Sequence, residues 1–193
     1  MKTVKNPIKS ILGKFSKKKT GTRVKASVSV GNFQGIGKRE NQEDSFYVSD
    51  FMNKEQVAKK GVLAVVADGM GGLSNGEEMS ALVTQTACEF FSKIPIRYEG
   101  EGNPISRYLK AMLAEIMKRA EVLQKDDEEE DCGSTMTAVL LKDDELYFLS
   151  VGDSRIYLVR DGRLYQMNRE HNVGSRLAEH MARGEMLLED YRD

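Results

Sequence analysis

Three short segments of this chain carry residues whose types and spacing could do chemistry. In the first, Asp68 follows the apolar run Val62–Ala67 and precedes Gly-Met-Gly-Gly at residues 69–72. A carboxylate at the tip of a buried strand, beside glycine backbone with accessible carbonyl oxygens, suits a hard cation, because Mg²⁺ and Mn²⁺ prefer oxygen ligands. Alone, the same pattern also fits a glycine-rich turn with a solvated aspartate.

The second segment is the charged sequence Arg-Glu-Asn-Gln-Glu-Asp at residues 39–44. Glu43 and Asp44 stand at the start of a predicted strand, where neighbouring side chains point to opposite faces. One of them could therefore contact a metal directly while the other acts through water. Arg39 could present its planar guanidinium to a phosphate. A surface charge cluster is the alternative interpretation.

The third segment is Gly-Asp-Ser-Arg at residues 152–155, which places Asp153 in a tight turn after a predicted strand. Such a sequence is by itself more typical of a turn than of a site. Gly-Ser-Thr at residues 133–135 opens the preceding strand. We expect a structural role for it, with its hydroxyl groups satisfying local hydrogen-bond donors.

The elements that must position these residues follow from hydrophobic periodicity. Apolar residues at helical spacing predict helices over residues 77–91 and 105–123. Alternating or short apolar runs predict strands at residues 26–33, 45–48, 62–67, 135–141, 145–150, 155–160 and 163–167. Strands followed by helices and then by a meander indicate an α+β fold with antiparallel sheets.

Composition describes an ordinary globular protein of 193 residues with an uneven charge distribution. The formal net charge is −1, but residues 1–25 hold nine of the 29 basic residues and none of the 30 acidic ones. Two cysteines cannot build a disulfide framework, and no apolar run approaches the roughly 18 residues that span a bilayer. These features predict a cytoplasmic protein, and no nucleic-acid partner is expected.

Residues 1–25 are expected to form a basic tail separate from the domain at 26–193. Its lysines surround one apolar helical face, made of Val4, Ile8, Ile11, Leu12 and Phe15. A basic amphipathic helix could lie on an anionic membrane through residues 1–20, or in a groove of a partner. A disordered, solvated tail is the alternative, favoured by Pro7 and by the short length.

In their order, these motifs resemble the metal-dependent protein phosphatases (the PPM, or type-2C-like, family), and most closely the bacterial branch. The order is Arg-x-x-x-Glu-Asp, Ala-Asp-Gly-Met-Gly-Gly, Gly-Ser-Thr, Val-Gly-Asp-Ser-Arg and then Glu170-His171. The resemblance covers the chain from about Val28 onward. It implies a four-layer αββα sandwich of two antiparallel sheets flanked by helices, with two Mn²⁺ or Mg²⁺ ions in a cleft at one edge.

The resemblance also implies a role for each matching residue. Asp68 would bridge both ions, and Arg39 would bind the substrate phosphate, which makes these two the expected catalytic residues. Glu43 and Asp44 would hold metal directly or through water, and Gly69 would contribute its carbonyl oxygen. The expected metal-binding residues are Glu43, Asp44, Asp68, Gly69 and, at a weaker additional site, Asp153.

The implied activity is hydrolysis of phosphoserine and phosphothreonine in proteins by a metal-activated water. The implied partners are phosphoproteins and a Ser/Thr protein kinase. Family members continue into strands with a Ser-Asp-Gly motif and a late Asp-Asn pair, and these motifs do not occur before Asp193. We therefore expect a domain without its C-terminal strands, and the alternatives are a non-catalytic phosphatase-like module that binds phosphoproteins, or a scaffold for the basic tail.

Overall fold

The structure is a computed structural model that describes residues 12–16, 28–70, 75–126 and 132–171, with backbone alone at 12–16 and 125–126. The helices are α1 (Lys54–Lys60), α2 (Asn75–Lys93) and α3 (Pro104–Asp126). The strands are β1 (Leu12–Ser16), β2 (Asp44–Val48), β3 (Val62–Met70), β4 (Gly133–Ser134), β5 (Met136–Lys142), β6 (Glu145–Val151), β7 (Tyr157–Arg160) and β8 (Arg163–Gln166).

Two antiparallel sheets contain all of these strands. The main sheet has the order β1-β6-β5-β3-β2, and β4 pairs with the end of β3. The second sheet is the hairpin of β7 and β8. Its turn residues Asp161 and Gly162 have φ values of 52° and 71°, as a two-residue type I′ turn requires. The predicted α+β class with antiparallel sheets is confirmed.

One face of the main sheet packs against α2 and α3. Along β3 the side chains alternate, so that Leu63, Val65 and Ala67 are buried in the core while Val66 and Asp68 lie on the opposite face. The helices fill this core with fully buried side chains, including Phe91 and Leu109. The two predicted helices are confirmed, each two or three residues longer at its C-terminal end and one or two at its N-terminal end.

The tail contains a strand where the sequence predicted a helical face. Leu12–Ser16 pairs antiparallel with residues 145–149 of β6. The free edge of β6 offers backbone hydrogen bonds to an extended segment, whereas an isolated short helix is only marginally stable in water. The helix prediction is therefore wrong for residues 12–16, and the other residues of the tail lie outside the described ranges.

The strand predicted at 26–33 is also absent from its described part, since residues 28–36 are irregular. Phe33, the last residue of the predicted strand, is 94% exposed. A strand satisfies its backbone groups by pairing with a neighbour, and none of the described strands pairs with this segment.

The strand before Asp68 is longer than its apolar run suggested. It continues to Met70 because β4 pairs with Gly69 and Met70. Asp68 therefore lies inside a strand and not at its tip, while residues 71–74 lie outside the described ranges. Among the described helices, none combines the length and apolar composition needed to cross a membrane.

Candidate metal and phosphate site

Asp44 and Asp68 stand directly opposite each other on β2 and β3. Their side chains lie on the face of the main sheet that faces away from α2 and α3, and the Asp44 carboxylate is near enough to raise the pKa of Asp68. Two like charges in directly opposed positions destabilise a sheet. A pair that costs stability in this way is a candidate for a functional role that the fold has to accommodate.

Asp153 brings a third carboxylate towards this pair. It lies in the turn after β6, next to Gly152, whose φ of 92° is unfavourable for other residues. Partial burial raises the pKa of Asp68, and the charges of Asp44 and Asp153 raise it further, whereas Arg39 acts in the opposite direction. The structure thus brings together the predicted site residues Arg39, Asp44, Asp68 and Asp153.

Arg39 and Glu43 form an ion pair within the same segment. Arg39 Nη1 donates a hydrogen bond to Glu43 Oε2 at 2.7 Å, and the Arg39 side chain is 69% exposed. The Arg39 backbone N–H donates to the carbonyl oxygen of Ile36 at 3.2 Å. Glu43 is therefore close to the site, and one of its carboxylate oxygens accepts a hydrogen bond from Arg39.

Gly69 is buried where only a glycine fits. A Cβ atom at this position would lie 1.9 Å from the carbonyl oxygen of Gly76 in α2 and 2.8 Å from that of Glu43. The Gly69 N–H donates to the same Glu43 oxygen at 3.0 Å. These contacts fix the backbone beside Asp68 against both the first turn of α2 and the residue before β2.

Thr135 and Ser134 hold the backbone of Asp68 from the other side. The Asp68 N–H donates to Thr135 Oγ1 at 3.0 Å, and the Thr135 N–H donates to the Asp68 carbonyl oxygen at 2.8 Å. Ser134 Oγ donates to that carbonyl oxygen at 3.1 Å. The Thr135 hydroxyl thus satisfies a backbone donor, as the sequence predicted for this motif, whereas the Ser134 hydroxyl satisfies a backbone acceptor.

Sequence reasoning missed Asn168, whose amide holds the Asp153 turn. Its Nδ2 donates to Ser150 Oγ at 2.7 Å and to the Ser154 carbonyl oxygen at 2.8 Å, and its Oδ1 accepts from the Ile156 N–H at 2.8 Å. A lone asparagine after a strand carries no sequence signal for this role. The neighbouring His171, part of the family-like Glu-His pair, contributes its backbone N–H to the Gly152 carbonyl oxygen.

The donor chemistry of this region fits a hard divalent cation. The groups near Asp68 are carboxylates and backbone carbonyls, which are the ligands of Mg²⁺ and Mn²⁺ and not those of softer metals. Within the described ranges, no three carboxylate, imidazole or thiolate side chains converge tightly enough to enclose an ion by themselves. Asp44 and Asp68 would hold a metal from one side, with Asp153 nearby.

Comparison with known proteins identifies the family of this chain. The sequence profile of the family described as Protein phosphatase 2C matches residues 36–181, which include Arg39, the carboxylate pair and Asp153. This chain belongs to the protein phosphatase 2C family. The match covers well over half of the chain and includes every element from β2 to β8.

Bacterial members of the protein phosphatase 2C family are among its relatives. The chain is 31% identical over 132 residues to the serine/threonine protein phosphatase PstP of Mycobacterium tuberculosis, covering 68% of this chain and 23% of that protein. It is 27% identical over 154 residues to the serine/threonine phosphatase stp of Listeria welshimeri, covering 79% of this chain and 56% of that protein. The chain thus spans about a quarter to just over half of these relatives.

Solved structures share the fold. The catalytic domain of PstP in complex with two manganese ions matches with a TM-score of 0.58 at 28% identity, covering 79% of this chain and 58% of that one. Stp1 of Staphylococcus aureus matches with a TM-score of 0.64 at 20% identity, covering 89% and 64%. These matches place the chain in the predicted sandwich fold of two antiparallel sheets with helices.

Proposed function

We propose that this chain is a metal-dependent protein phosphatase that hydrolyses phosphoserine and phosphothreonine. The observation that carries the proposal is the opposed pair of Asp44 and Asp68, with Asp153 and Arg39 beside it. The opposed carboxylates of Asp44 and Asp68 repel each other unless a cation lies between them. The phosphatase names of the relatives and the two manganese ions of the PstP catalytic domain support the same conclusion.

In this proposal the acidic residues hold two Mn²⁺ or Mg²⁺ ions. Asp68 would be shared by both ions, Gly69 would contribute its carbonyl oxygen, and Glu43 and Asp44 would hold metal directly or through water. Asp153 would belong to a weaker additional site. Bound Mn²⁺ or Mg²⁺ supplies hydroxide at neutral pH by lowering the pKa of water. The protein holds these ligands on a buried scaffold, so that their positions are set before the substrate arrives.

Arg39 orients the substrate phosphate. Its planar guanidinium can form two parallel hydrogen bonds to phosphate oxygens, which fixes the phosphorus relative to the carboxylate pair. To do this, Arg39 exchanges its contact with Glu43 for contacts with the substrate. The exchange costs little, because an exposed ion pair such as this one contributes about 0 to 1 kcal/mol.

The test is hydrolysis of a phosphothreonine peptide by the full chain in Mn²⁺, with Asp68→Asn as the variant. We expect release of phosphate by the wild type and its loss in the variant or in excess chelator. Asp144→Asn is the matched control, because Asp144 lies in the turn between β5 and β6 at the opposite end of the sheet. Unchanged turnover in Asp68→Asn would refute the proposal, and peptide binding without turnover would favour the binding-module alternative.

We also propose a cytoplasmic protein whose phosphoprotein substrates are made by a Ser/Thr protein kinase, and whose residues 1–20 contact anionic membranes. The basic charge of residues 1–25 supports the membrane contact. We expect salt-sensitive binding to vesicles containing phosphatidylserine. Replacing Lys17, Lys18 and Lys19, which follow β1 in the sequence, by Gln should weaken this binding, whereas equal binding would contradict the proposal.

A further inference from the structure

A chain of side-chain hydrogen bonds joins the strand that carries Asp68 to the turn that carries Asp153. We propose that Thr135 is a positioning residue that fixes these two carboxylates relative to each other, and thereby sets the affinity of the site for metal. The inference rests on the proposed function, since it assumes that Asp68 and Asp153 bind cations. It concerns residues that touch neither the metal nor the substrate.

The side chain of Thr135 makes three contacts that link the two segments. Its Oγ1 accepts the Asp68 N–H at 3.0 Å and lies 2.7 Å from Ser154 Oγ. Its methyl side packs against the turn, because a Cβ on Gly152 would lie 2.7 Å from Thr135 Cγ2. Thr135 is 5% exposed, so its hydroxyl group forms these bonds with little competition from water.

Asn168 completes the link from beneath the turn. Its side chain is buried, and both its amide nitrogen and its amide oxygen are bonded, to Ser150, Ser154 and Ile156. Ser154 is therefore bonded at its side chain to Thr135 and at its carbonyl oxygen to Asn168. The turn cannot shift relative to Asp68 without breaking at least one of these bonds, and breaking a buried bond leaves an unsatisfied polar group.

Rigid support matters here because metal affinity depends on where the ligands are held. Residues that hydrogen-bond to metal ligands and orient them typically change metal affinity by about 10- to 100-fold when they are removed. Thr135 holds the ligand Asp68 by its backbone, and reaches Asp153 through the adjacent Ser154. A threonine with a purely structural role would affect unfolding but would not affect the affinity of the folded protein for Mn²⁺.

The experiment compares Thr135→Val, which removes the hydroxyl but keeps the shape, with Thr135→Ser, which keeps the hydroxyl. Thr137→Val is the matched control, since Thr137 is buried on β5 and its hydroxyl donates to the Val66 carbonyl oxygen at 3.5 Å, away from the Asp153 turn. Mn²⁺ affinity of the full chain is measured by electron paramagnetic resonance of the free ion. We expect affinity about 10-fold lower or more in Thr135→Val, and near wild type in Thr135→Ser and Thr137→Val.

Two further measurements keep the outcome decisive. Ser154→Ala breaks the link at a less buried residue and should weaken Mn²⁺ binding in a protein that remains folded. Hydrogen exchange should show a less protected Asp68 amide in Thr135→Val. Wild-type affinity in both Thr135→Val and Ser154→Ala would overturn the inference alone, whereas a wild-type chain that binds no Mn²⁺ would overturn the proposed function and the inference with it.

Discussion

Asp68 and Arg39 belong to the same candidate site, but the regions that carry them differ in secondary structure and burial. The Asp68 half is formed by β2, β3 and residues 133–135. Strand β3 is hydrogen-bonded to a neighbour on each side, and its other face packs against α2 and α3. The Arg39 half, formed by residues 28–43, is irregular over its described length and largely exposed. Its arginine is held by an ion pair with Glu43 and one backbone hydrogen bond.

This difference separates two tasks that a phosphatase site must perform. Metal ligands gain from a rigid scaffold, because the ions demand a fixed arrangement of oxygens. A phosphate-binding arginine needs only to reach the substrate, and its long side chain can reorient at small cost when it is exposed. We therefore expect substitutions in the Asp68 half to change stability and metal affinity, and substitutions in the Arg39 half to change substrate binding and turnover.

The largest expected effect is on the core beneath the Asp68 half. Phe91 is fully buried between the sheet and α3, and Phe91→Ala should reduce the free energy of unfolding by about 3 to 5 kcal/mol. Phe33→Ala in the Arg39 half should change it by less than about 0.5 kcal/mol, because Phe33 is exposed. Denaturant unfolding measures both, and similar losses would contradict the contrast.

The second effect compares two glycines. Gly69→Ala forces a Cβ against the Gly76 backbone and should cost about 3 kcal/mol, at the upper end of the range for overpacking. Gly31→Ala in the Arg39 half meets no atom within 4 Å and should be neutral or slightly stabilising, by up to about 1 kcal/mol. Thermal unfolding of the two variants provides the comparison, and an unaffected Gly69→Ala would show that the contact with α2 is not tight.

The third expected effect is on the hydrolysis of the substrate. Arg39→Gln should lower kcat/KM for a phosphothreonine peptide by about 10- to 100-fold, because it removes charged hydrogen bonds to the phosphate. Mn²⁺ affinity should remain within about twofold of wild type, since the scaffold of the carboxylates is untouched. Lys38→Gln serves as the control for loss of one positive charge. A parallel loss of metal affinity in Arg39→Gln would mean that the two halves are coupled.

The smallest effect concerns Tyr47, which lies on β2 on the helix side of the sheet. Burial, together with Cys88, raises the pKa of Tyr47 from 10.0 to about 12. Above pH 10 the unfolded chain loses this proton while the folded protein keeps it, so the stabilisation is complete below pH 10 and is lost as the pH rises towards 12.

Tyr47→Phe should therefore make the free energy of unfolding fall less steeply between pH 10 and pH 12. Urea titrations at several alkaline pH values measure this slope. The same change at Tyr165, in the exposed hairpin, is the control. An unchanged slope in Tyr47→Phe would show that the buried phenol does not contribute to alkaline unfolding.

The sequence predicted those helices and strands whose apolar periodicity matches the face that they bury. The helices bury one face, and the strands β3, β5 and β6 lie in the middle of the sheet, so their apolar periodicity reports the core directly. Helix α1 was not predicted, because it buries no residue and starts from the cap of Asn53 alone. The helix at residues 12–16 and the described part of the strand at 26–33 were wrongly predicted, because pairing depends on which edge is free and not on local sequence.

The candidate site was likewise predictable in part from the sequence. Motif order alone selected Arg39, Asp44, Asp68 and Asp153, and the structure brings these residues together. The direct opposition of Asp44 and Asp68 requires the strand register, and the link through Thr135, Ser154 and Asn168 requires contacts between residues 12 to 19 positions apart in the chain. Such contacts leave no periodic signal in a single sequence.

The most direct test of the metal site is anomalous diffraction from crystals of the full chain grown with Mn²⁺. We predict anomalous peaks within about 2.0 to 2.3 Å of the Asp68 carboxylate oxygens, with Asp44 on the same ion or its neighbour. The same crystals of Asp68→Asn should lose the peak nearest to residue 68. A manganese peak only at the acidic residues 126–131, or none in the wild type at millimolar Mn²⁺, would contradict it.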